Sequence, residues 1–428
     1  MAQTQSLKQI IAEPRTIDDL NIPQNLIIDL IFRLAFNEGN VALSRFTEVL
    51  KIPKTFIDSI LLWMQKEHLM EVSKATVELG RLGNVYTLTQ AGEERARSAM
   101  ERSQYVGPVP VSIPHYNRSI EAQTRIHMKL STEQIKAALN HLVLSPDFHR
   151  QIGPAVNSGS SLFLYGPPGN GKTTIALGIA KMMASADAIW IPYAITAGGQ
   201  IIQINDRHVH KQITEVRERS GELGRTDQRW MQIERPAVTT GGELHLEALD
   251  LRFDPIAKFY EAPLQLKANG GMFLIDDFGR QQVSTRDLLN RWIVPLESKI
   301  DFLRLLSGQT IVVPFRQLTV FSTNLNPREL VDDAFLRRIH MKVNVAPPDE
   351  RLFFQIFVME ARQKGVPFNK DAFLHLLQKW YREPQRNMQA VHPRDLVNIV
   401  VAICEYDGIS PTLTPELLDD AARSYFVE

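Results

Sequence analysis

Residues 166–173 constrain the fold of this chain more than any other stretch. Two glycines bracket four residues and are followed by Lys-Thr, which is the phosphate-binding loop pattern. An apolar run at residues 162–165 precedes the loop, as expected of a parallel strand that is buried on both faces. Residues 174–180 follow with a helical pattern, so the loop would lie at the positive end of a helix. The stretch therefore predicts an α/β fold that binds a nucleoside triphosphate.

The loop also predicts specific contacts with the cofactors, ATP and Mg²⁺. Lys172 is expected to reach the β- and γ-phosphates, and the Thr173 hydroxyl to complete the Mg²⁺ shell. The alternative is a glycine-rich turn that matches by chance, which the flanking strand and helix disfavour. The predicted nucleotide-binding residues are Gly166, Pro167, Pro168, Gly169, Asn170, Gly171, Lys172, Thr173 and Thr174.

Two further apolar strands end in polar residues. The run Met272-Phe273-Leu274-Ile275 is followed by Asp276, a predicted Mg²⁺ ligand, and by Asp277, the predicted general base for the attacking water. The alternative is a core strand that ends in a solvated pair of aspartates. The buried run at residues 318–323 is followed by Asn324. Ligands of open α/β sheets collect at the carboxyl ends of strands, so Asn324 is expected to orient water or contact the γ-phosphate.

Composition excludes several classes of protein. The chain has 428 residues, enough for two or three domains, and its 48 Lys+Arg balance its 48 Asp+Glu. No global charge therefore favours nucleic acid or anionic lipid as a partner. A single cysteine, Cys404, rules out an internal disulfide and fits a reducing compartment. No apolar run approaches the roughly 18–20 residues that would span a bilayer, so we expect a cytoplasmic protein.

The N-terminal part resembles a winged-helix domain. Helices are predicted near residues 23–38, 43–50 and 53–66, followed by a hairpin (70–72 and 85–88) and a helix from Gln90. Between Leu20 and Met100 nine Lys/Arg face nine Asp/Glu. Because DNA binding relies on clustered cations, this neutral module is expected to dock protein partners, with DNA as the less favoured alternative.

The predicted organisation has five parts. Residues 1–19 form a tail, 20–104 the winged-helix domain, and 105–130 a stiff, extended linker marked by Pro108, Pro110 and Pro114. Residues 131–346 form the nucleotide-binding core, in which 188–192 is a second strand and 195–245 a hairpin-rich insertion with glycine pairs at 198–199 and 241–242. Residues 347–428 have only helical patterns and form a lid.

Cap and turn residues predict further local structure. The spacing of Ser131 and Gln134 fits a capping box at the start of a helix. A helix is predicted around 285–298, followed by a hairpin formed by 300–305 and 311–314. The last helix is predicted to begin with Thr414 as N-cap and Pro415 as its first residue.

Taken in order, these motifs resemble those of the AAA+ ATPases over residues 131–428. The resemblance rests on the phosphate loop, Asp276-Asp277, Ser322-Thr323-Asn324, Ala334-Phe335-Leu336-Arg337-Arg338 and His392-Pro393-Arg394-Asp395-Leu396. It implies an αβα sandwich with a helical lid. It also implies that Asn324 is the sensor-1 residue, Arg338 the arginine finger that reaches a neighbouring subunit's nucleotide, and Arg394 the sensor-2 arginine. The expected assembly is a homo-oligomeric, hexameric ring that hydrolyses ATP.

The finger segment resembles that of the MoxR group. A narrower resemblance is to predicted bacterial AAA+ ATPases with chaperone activity associated with Flp pilus assembly. It rests on the neutral winged helix and on residues 162–174, 258–267 and 275–280. That resemblance implies an ATPase that remodels protein partners, in a pilus or secretion setting, through its N-terminal domain. One departure is Asp277, where the family usually has Glu, one methylene longer. The alternatives are a DNA-binding regulator or nucleic-acid motor, and an assembly switch with little turnover.

Overall fold

The computed structural model describes residues 6–74, 83–124, 130–144, 146–159, 161–213 and 226–426. The segment at 75–82, between the two strands of the predicted N-terminal hairpin, lies outside the described residues. None of the described helices is long and apolar enough to cross a membrane.

The N-terminal part contains helices around a small antiparallel sheet. Its elements are α1 (Leu7–Ile10), a 3₁₀ turn (Asp18–Leu20), α2 (Gln24–Glu38), β1 (Val41–Ala42), α3 (Leu43–Leu50), α4 (Lys54–Lys66), β2 (Met70–Lys74), β3 (Val85–Leu88) and α5 (Gln90–Arg102). The three strands are ordered β1-β3-β2 and are antiparallel. The helices lie where the sequence predicts them. The apolar side chains that line one face of each helix form one buried cluster. The winged-helix assignment itself stays a prediction.

The segment predicted as an extended linker is in part helical and packed. Strand β4 (Val111–Ser112) leads directly into α6 (Ile113–Thr124). Tyr116 and Ile120 lie on one face of α6 and are buried. The prediction of a stiff extended linker over 105–130 is therefore wrong for this part, since the three prolines before residue 115 masked a helical stripe. The tail is also packed in part, because Ile10 and Ile11 are buried beside Trp190 and Trp230.

The predicted nucleotide-binding core contains the strand and the helix that the sequence predicts on either side of the phosphate loop. Its first elements are α7 (Thr132–Ala138), α8 (Pro146–Ser158), β5 (Ser161–Tyr165) and α9 (Lys172–Ala186). Ser131 caps α7 with the predicted capping box, in which Gln134 N donates to Ser131 Oγ at 3.3 Å. Strand β5 and helix α9 flank the phosphate loop.

The segment after α9 contributes strands to three different sheets. The elements of this segment are β6 (Ile189–Pro192), β7 (Ala194–Ala197), β8 (Gln200–Gln203), β9 (Trp230–Ile233), β10 (Ala237–Thr240), β11 (Arg252–Asp254), β12 (Phe259–Glu261) and α10 (Leu264–Lys267). Five strands are ordered β11-β12-β8-β7-β4, and β6 pairs separately with β9. Gly198 and Gly199 turn the β7–β8 hairpin with φ of 56° and 75°, as predicted.

One prediction in this region is wrong, namely that of a hairpin at Gly241 and Gly242. Residues 189–192 form a strand as predicted, and it pairs antiparallel with β9 outside the main sheet, where β10 pairs with β13. The sequence does not show β10 as a continuous apolar run, because β10 is an edge strand whose residues alternate between exposed and buried. Gly241 and Gly242 do not turn a hairpin. They follow β10, and Gly241 N donates to the Glu243 carboxylate at 2.9 Å.

The main sheet is entirely parallel. Its remaining strands and the connecting elements are β13 (Met272–Ile275), α11 (Thr285–Ser298), β14 (Ile300–Arg304), β15 (Thr310–Pro314), β16 (Leu318–Thr323), α12 (Pro327–Leu330), α13 (Asp333–Leu336) and β17 (Met341–Asn344). The strand order is β10-β13-β16-β5-β17, with all neighbours parallel. Strand β16 thus lies between β5 and β13, and pairs Thr323 with Tyr165. The predicted hairpin before Asn324 is present as β14–β15.

The C-terminal part is helical, as its pattern predicts. It consists of α14 (Glu350–Gln363), α15 (Lys370–Leu377), a π turn (Gln378–Arg382), α16 (His392–Tyr406) and α17 (Pro415–Tyr425). Thr414 caps α17 and Pro415 is its first residue, as the sequence predicts. These helices share a core of their own, separate from the cores on either face of the parallel sheet.

The buried side chain of Arg229 contacts the N-terminal part of the chain as well as its neighbour Asp227. Arg229 and Asp227 are 1% and 2% exposed, and Arg229 Nη2 donates to Asp227 Oδ2 at 2.7 Å. The same guanidinium donates through Nη1 to Leu20 O at 3.5 Å and to Pro110 O at 3.3 Å. The Arg229 guanidinium therefore donates hydrogen bonds to three acceptors, which belong to Leu20, Pro110 and Asp227.

We expect Asp227→Ala to destabilise the protein by about 3–5 kcal/mol, because Arg229 would stay buried without its counter-ion. Urea unfolding measures the change. The control is Asp420→Ala, whose partner Arg423 is exposed, and which is expected to cost about 0–1 kcal/mol. Equal shifts of the unfolding midpoint in the two variants would contradict the structural role of this pair.

Candidate functional site

The phosphate loop has a backbone that requires its glycines. Gly166, Gly169 and Gly171 have φ of 141°, 75° and 83°, which side chains rarely allow. A Cβ at Gly166 would also clash with the carbonyl oxygen of Val345, which follows the neighbouring strand β17. Gly171 is the N-cap of α9, so the loop passes directly into the helix whose N-terminus points to the cavity. This geometry suits a cradle for phosphate oxygens.

Lys172 lies at the first position of α9 and is 6% exposed. Its Nζ donates to Gly166 O and to Pro167 O, both at 2.9 Å. Burial lowers the pKa of Lys172, while the nearby carboxylates of Asp276 and Asp277 act in the opposite direction. The ammonium therefore lies inside the loop, and its partners are neutral carbonyl oxygens that a phosphate oxygen can replace.

Thr173 and Asp276 are brought together as a metal site would require. The Thr173 Oγ1 hydroxyl donates to Asp276 Oδ2 at 2.7 Å, although the two residues are 103 positions apart. Both are oxygen donors, the type that Mg²⁺ prefers. Among the described residues there is no cluster of three or more His, Cys, Asp or Glu side chains that could hold a metal.

Two side chains, those of Asn324 and Gln281, hold Asp277 in place. Its φ is 48°, a left-handed conformation that is uncommon for a residue with a side chain. Asn324 Nδ2 donates to Asp277 Oδ1 at 3.0 Å, because β16 lies beside β13. Gln281 Nε2 donates to the backbone oxygens of Asp276 and Asp277 at 2.9 and 3.1 Å. Sequence reasoning missed Gln281, since no sequence pattern links a loop glutamine to the backbone of Asp276, five residues before it.

A cavity of about 560 Å³ connects these groups with the lid. One wall comes from residues 141–144, which precede α8, and another from α14 and the start of α16. Thr174, Ser322 and Asn324 line the cavity together with the phosphate loop. The walls contributed by Leu142, Val143, Ile356 and Met359 are apolar, as in many small-molecule sites. Sequence analysis did not find these walls because they bear no motif.

Asn170 connects the loop to the lid. It is 5% exposed, and its Oδ1 accepts from Ala390 N at 3.1 Å while its Nδ2 donates to Pro167 O at 3.3 Å. Beside it, Val391 N donates to Gly169 O at 2.9 Å. Both polar ends of the Asn170 side chain are thus occupied by protein groups. Its contacts favour a role in holding the lid over a role in direct phosphate binding.

Arg394 lines the same cavity from the lid and is 56% exposed. Its Nε donates to Asp395 Oδ1 at 3.0 Å, and Tyr425 Oη donates to Asp395 Oδ2 at 3.0 Å. Burial, followed by the Asp395 carboxylate, raises the pKa of Tyr425 to about 12, so the phenol keeps its proton. Helix α17 therefore helps to fix the side of α16 from which Arg394 extends.

Arg338 lies far from its own phosphate loop. Ser161, the first residue of β5, donates from Oγ to Arg338 O at 2.9 Å, whereas Gly166 follows the last residue of the same strand. Five residues of strand separate the two points by roughly 17 Å. The Arg338 guanidinium pairs with Glu297 at 2.7 Å. The structure thus brings Lys172, Thr173, Asp276, Asp277, Asn324 and Arg394 to one cavity and leaves Arg338 at the opposite edge of the sheet.

A family described as a domain of unknown function (DUF8689) matches residues 349–424, within the helical C-terminal part. No curated protein matches the chain. Among solved structures, a point mutant of RuvB from Thermotoga maritima is similar at 13% sequence identity, over 69% of this chain and 70% of that chain, with a TM-score of 0.36. A TM-score this low does not by itself establish a common fold.

We expect Asn170→Ala to release the lid, because Ala390 N loses its acceptor. Loss of one neutral hydrogen bond of about 1 kcal/mol corresponds to roughly fivefold faster amide exchange at Ala390. Hydrogen exchange measured by mass spectrometry on the peptide containing residues 389–394 detects this change. Asn170→Asp is the matched control, since it retains the acceptor. Equal protection in Asn170→Ala and the parent would contradict the contact.

Proposed function

We propose that this chain is an AAA+ ATPase that hydrolyses ATP with Mg²⁺ and works as a homo-oligomeric ring on protein partners. The observation that carries the proposal is the convergence of Lys172, the Thr173–Asp276 pair and the Asp277–Asn324 pair at one edge of a parallel sheet. Each group comes from a different strand end or from the helix after the loop. Together they supply a cation for phosphates, oxygen ligands for a metal and a carboxylate for water.

The residues present fit ATP and Mg²⁺. The loop amides and Lys172 would hold the phosphates, and Thr173 and Asp276 would hold the metal, which supplies positive charge against the β- and γ-phosphate oxygens. Lys172 would exchange the carbonyl oxygens of Gly166 and Pro167 for phosphate oxygens, which compensate its burial with a charge-assisted bond. The apolar walls at residues 142–144 and on α14 would pack against the base.

Asp277 would take the proton of the attacking water. Its Oδ1 is bonded to Asn324, so Asn324 would keep the carboxylate directed into the cavity. An aspartate reaches one methylene less far than the glutamate usual in this family, and slow turnover is the expected consequence. Arg394, on the lid, would add positive charge near the transferring phosphoryl group when the lid is closed.

The position of Arg338 supports an assembly. A guanidinium at the amino edge of the sheet, roughly 17 Å from its own loop, has no path to its own nucleotide. It would act on the nucleotide of a neighbouring subunit and stabilise charge on the phosphoryl oxygens. The N-terminal part, with nine cations against nine anions over residues 20–100, would serve as the adaptor for protein partners.

Two substitutions separate binding from hydrolysis. We expect Lys172→Ala to remove most nucleotide affinity, because the cation facing the phosphates is lost. We expect Asp277→Asn to retain ATP binding and the bond from Asn324, while hydrolysis stalls because an amide does not accept the proton of water. A nucleotide titration and a phosphate-release assay measure the two effects. Parental turnover in Asp277→Asn would exclude Asp277 as the general base.

A mixing experiment tests the assembly. Fingers supplied by a neighbour contribute about 10³–10⁵ in rate, so Arg338→Ala should bind ATP normally, hydrolyse it poorly, and recover activity when mixed with Asp277→Asn. The recovered interface would pair an intact Asp277 with a donated Arg338. Arg337→Ala is the matched control, because it removes the adjacent, exposed cation.

Specific activity should also rise with protein concentration as subunits assemble. Subunit exchange is verified first, by energy transfer between labelled chains. Exchange without recovered activity, together with activity per chain that does not depend on concentration, would exclude Arg338 as a finger acting between subunits.

A further inference from the structure

Glu297 and Arg338 form an ion pair at the amino edge of the parallel sheet. Arg338 Nε lies 2.7 Å from Glu297 Oε1, although the two residues are 41 positions apart. Glu297 belongs to the last turn of α11, and Arg338 follows the end of α13. The two side chains are 51% and 22% exposed, and both line a concave region of about 760 Å³. The pair is therefore accessible from outside the chain.

The backbone of Arg338 is held independently of this pair. Arg338 N donates to Phe335 O at 2.8 Å, and Ser161 Oγ donates to Arg338 O at 2.9 Å. The Ser161 hydroxyl also accepts from His340 N at 3.3 Å. These bonds fix where the arginine side chain begins, but its several rotatable bonds leave the direction of the guanidinium open. That direction depends on the groups that the end of the side chain contacts.

Glu297 extends from a helix that is anchored in the core. Trp292 and Leu296, on the inner face of α11, are buried beside the parallel sheet. A carboxylate in the last turn of a helix is disfavoured, because the terminal backbone carbonyls carry partial negative charge. The last turn of α11 contains no basic residue that would offset this charge. The Arg338 guanidinium supplies the positive charge from a different element.

The ion pair distinguishes Arg338 from the cations around it. The concave region is lined by Lys299, Arg337 and Arg338, and Glu297 is the one carboxylate among the described residues that line it. The adjacent Arg337 is exposed, and it forms no ion pair with any residue that the structure describes. Glu297 thus holds one of two neighbouring arginines and leaves the other in solvent.

We propose that Glu297 is a positioning residue, which orients the Arg338 guanidinium toward the nucleotide of a neighbouring subunit. A guanidinium is planar and has its five donors in fixed directions, so a carboxylate held against one edge orients the whole group. Exposed ion pairs contribute little to stability, which leaves orientation as the main effect of this contact. The inference rests on the proposed function, in which Arg338 acts between subunits.

The test is steady-state ATP hydrolysis by the full chain, at concentrations where activity per chain no longer rises and assembly is saturated. Glu297→Ala should lower kcat about ten- to a hundredfold, because a misplacement of about 1 Å costs up to roughly 10² in rate. KM for ATP should keep its parental value, since Glu297 is not among the described residues that line the nucleotide cavity. Glu297→Gln retains the size of the side chain without its charge, and should also lower kcat.

Asp420→Ala is the matched control. Asp420 is 53% exposed and pairs with Arg423 at 2.6 Å, which closely matches the exposure and distance of Glu297. Its loss should leave kcat unchanged. Urea unfolding should give midpoints close to the parental value for all three variants, because each removes only an exposed ion pair. Glu297→Gln provides the measurement should Glu297→Ala impair folding.

Two further readouts separate positioning from a structural role. In the Arg338→Ala background, Glu297→Ala should cause no additional loss of kcat, because no guanidinium remains to be oriented. Glu297→Ala mixed with Asp277→Asn should recover activity. In that mixture the Asp277→Asn chain donates an intact Glu297–Arg338 pair to a site that has an intact Asp277.

The outcomes distinguish this inference from the proposed function. Loss of turnover in Arg338→Ala, with parental kcat in both Glu297 variants, would overturn the role of Glu297 and leave the proposed function standing. An additional loss from Glu297→Ala in the Arg338→Ala background would also overturn it, since Glu297 would then act on another group. Parental kcat in Arg338→Ala would overturn both, because the guanidinium would have no part in hydrolysis.

Discussion

The position of strand β16 between β5 and β13 is the constraint on which the candidate site depends. Thr323 pairs with Tyr165 on one side, and Phe321 with Ile275 on the other. Because all three strands are parallel, their carboxyl ends meet at one edge, and the residues that follow them share one cavity. Asn324 reaches Asp277 because β16 pairs with β13, and the pairing of β16 with β5 keeps both residues beside the phosphate loop.

The contacts that Arg229 and Asn170 make differ in strength. Arg229 is buried with Asp227 and donates to Leu20 O in the N-terminal part, and loss of Asp227 would leave a buried charge, which is costly. The lid meets the phosphate loop through Asn170 Oδ1 and Gly169 O, each of which accepts one backbone N–H. Neutral hydrogen bonds contribute only about 0.5–1.5 kcal/mol each. The contacts between the C-terminal helices and the phosphate loop are therefore the easier to break.

The two ends of the parallel strands differ in the charged residues that lie there. The carboxyl edge combines one buried ammonium with a pair of carboxylates, and burial lowers the pKa of Lys172 against their influence. The amino edge presents Lys299, Arg316, Arg337 and Arg338, with Glu297 as the carboxylate that pairs with Arg338. A parallel sheet keeps these edges a strand length apart. The proposal that Arg338 acts on the nucleotide of a neighbouring subunit depends on this separation.

Much of the local structure follows from the sequence alone. The bounds of α3, α11 and α17, the capping of α7 and the β14–β15 hairpin agree with apolar spacing, cap residues and turn glycines, because these signals act within a few residues. The loop motif likewise identified Lys172 and Thr173, and the apolar runs identified the strands that end before Asp276 and Asn324. Their assigned roles in hydrolysis stay predictions.

Only the tertiary structure decided which elements meet. Strand β10, and not residues 188–192, completes the sheet, and α6 replaces part of an expected linker, because an edge strand and a half-buried helix need only a short, irregular apolar pattern. The partners of Asn170 and Tyr425 could not be predicted either, since a hydrogen bond between distant segments leaves no periodic pattern in the sequence. Local preferences fix the elements of this chain, whereas pairing over distances such as the 103 positions between Thr173 and Asp276 depends on packing that no short window of sequence contains.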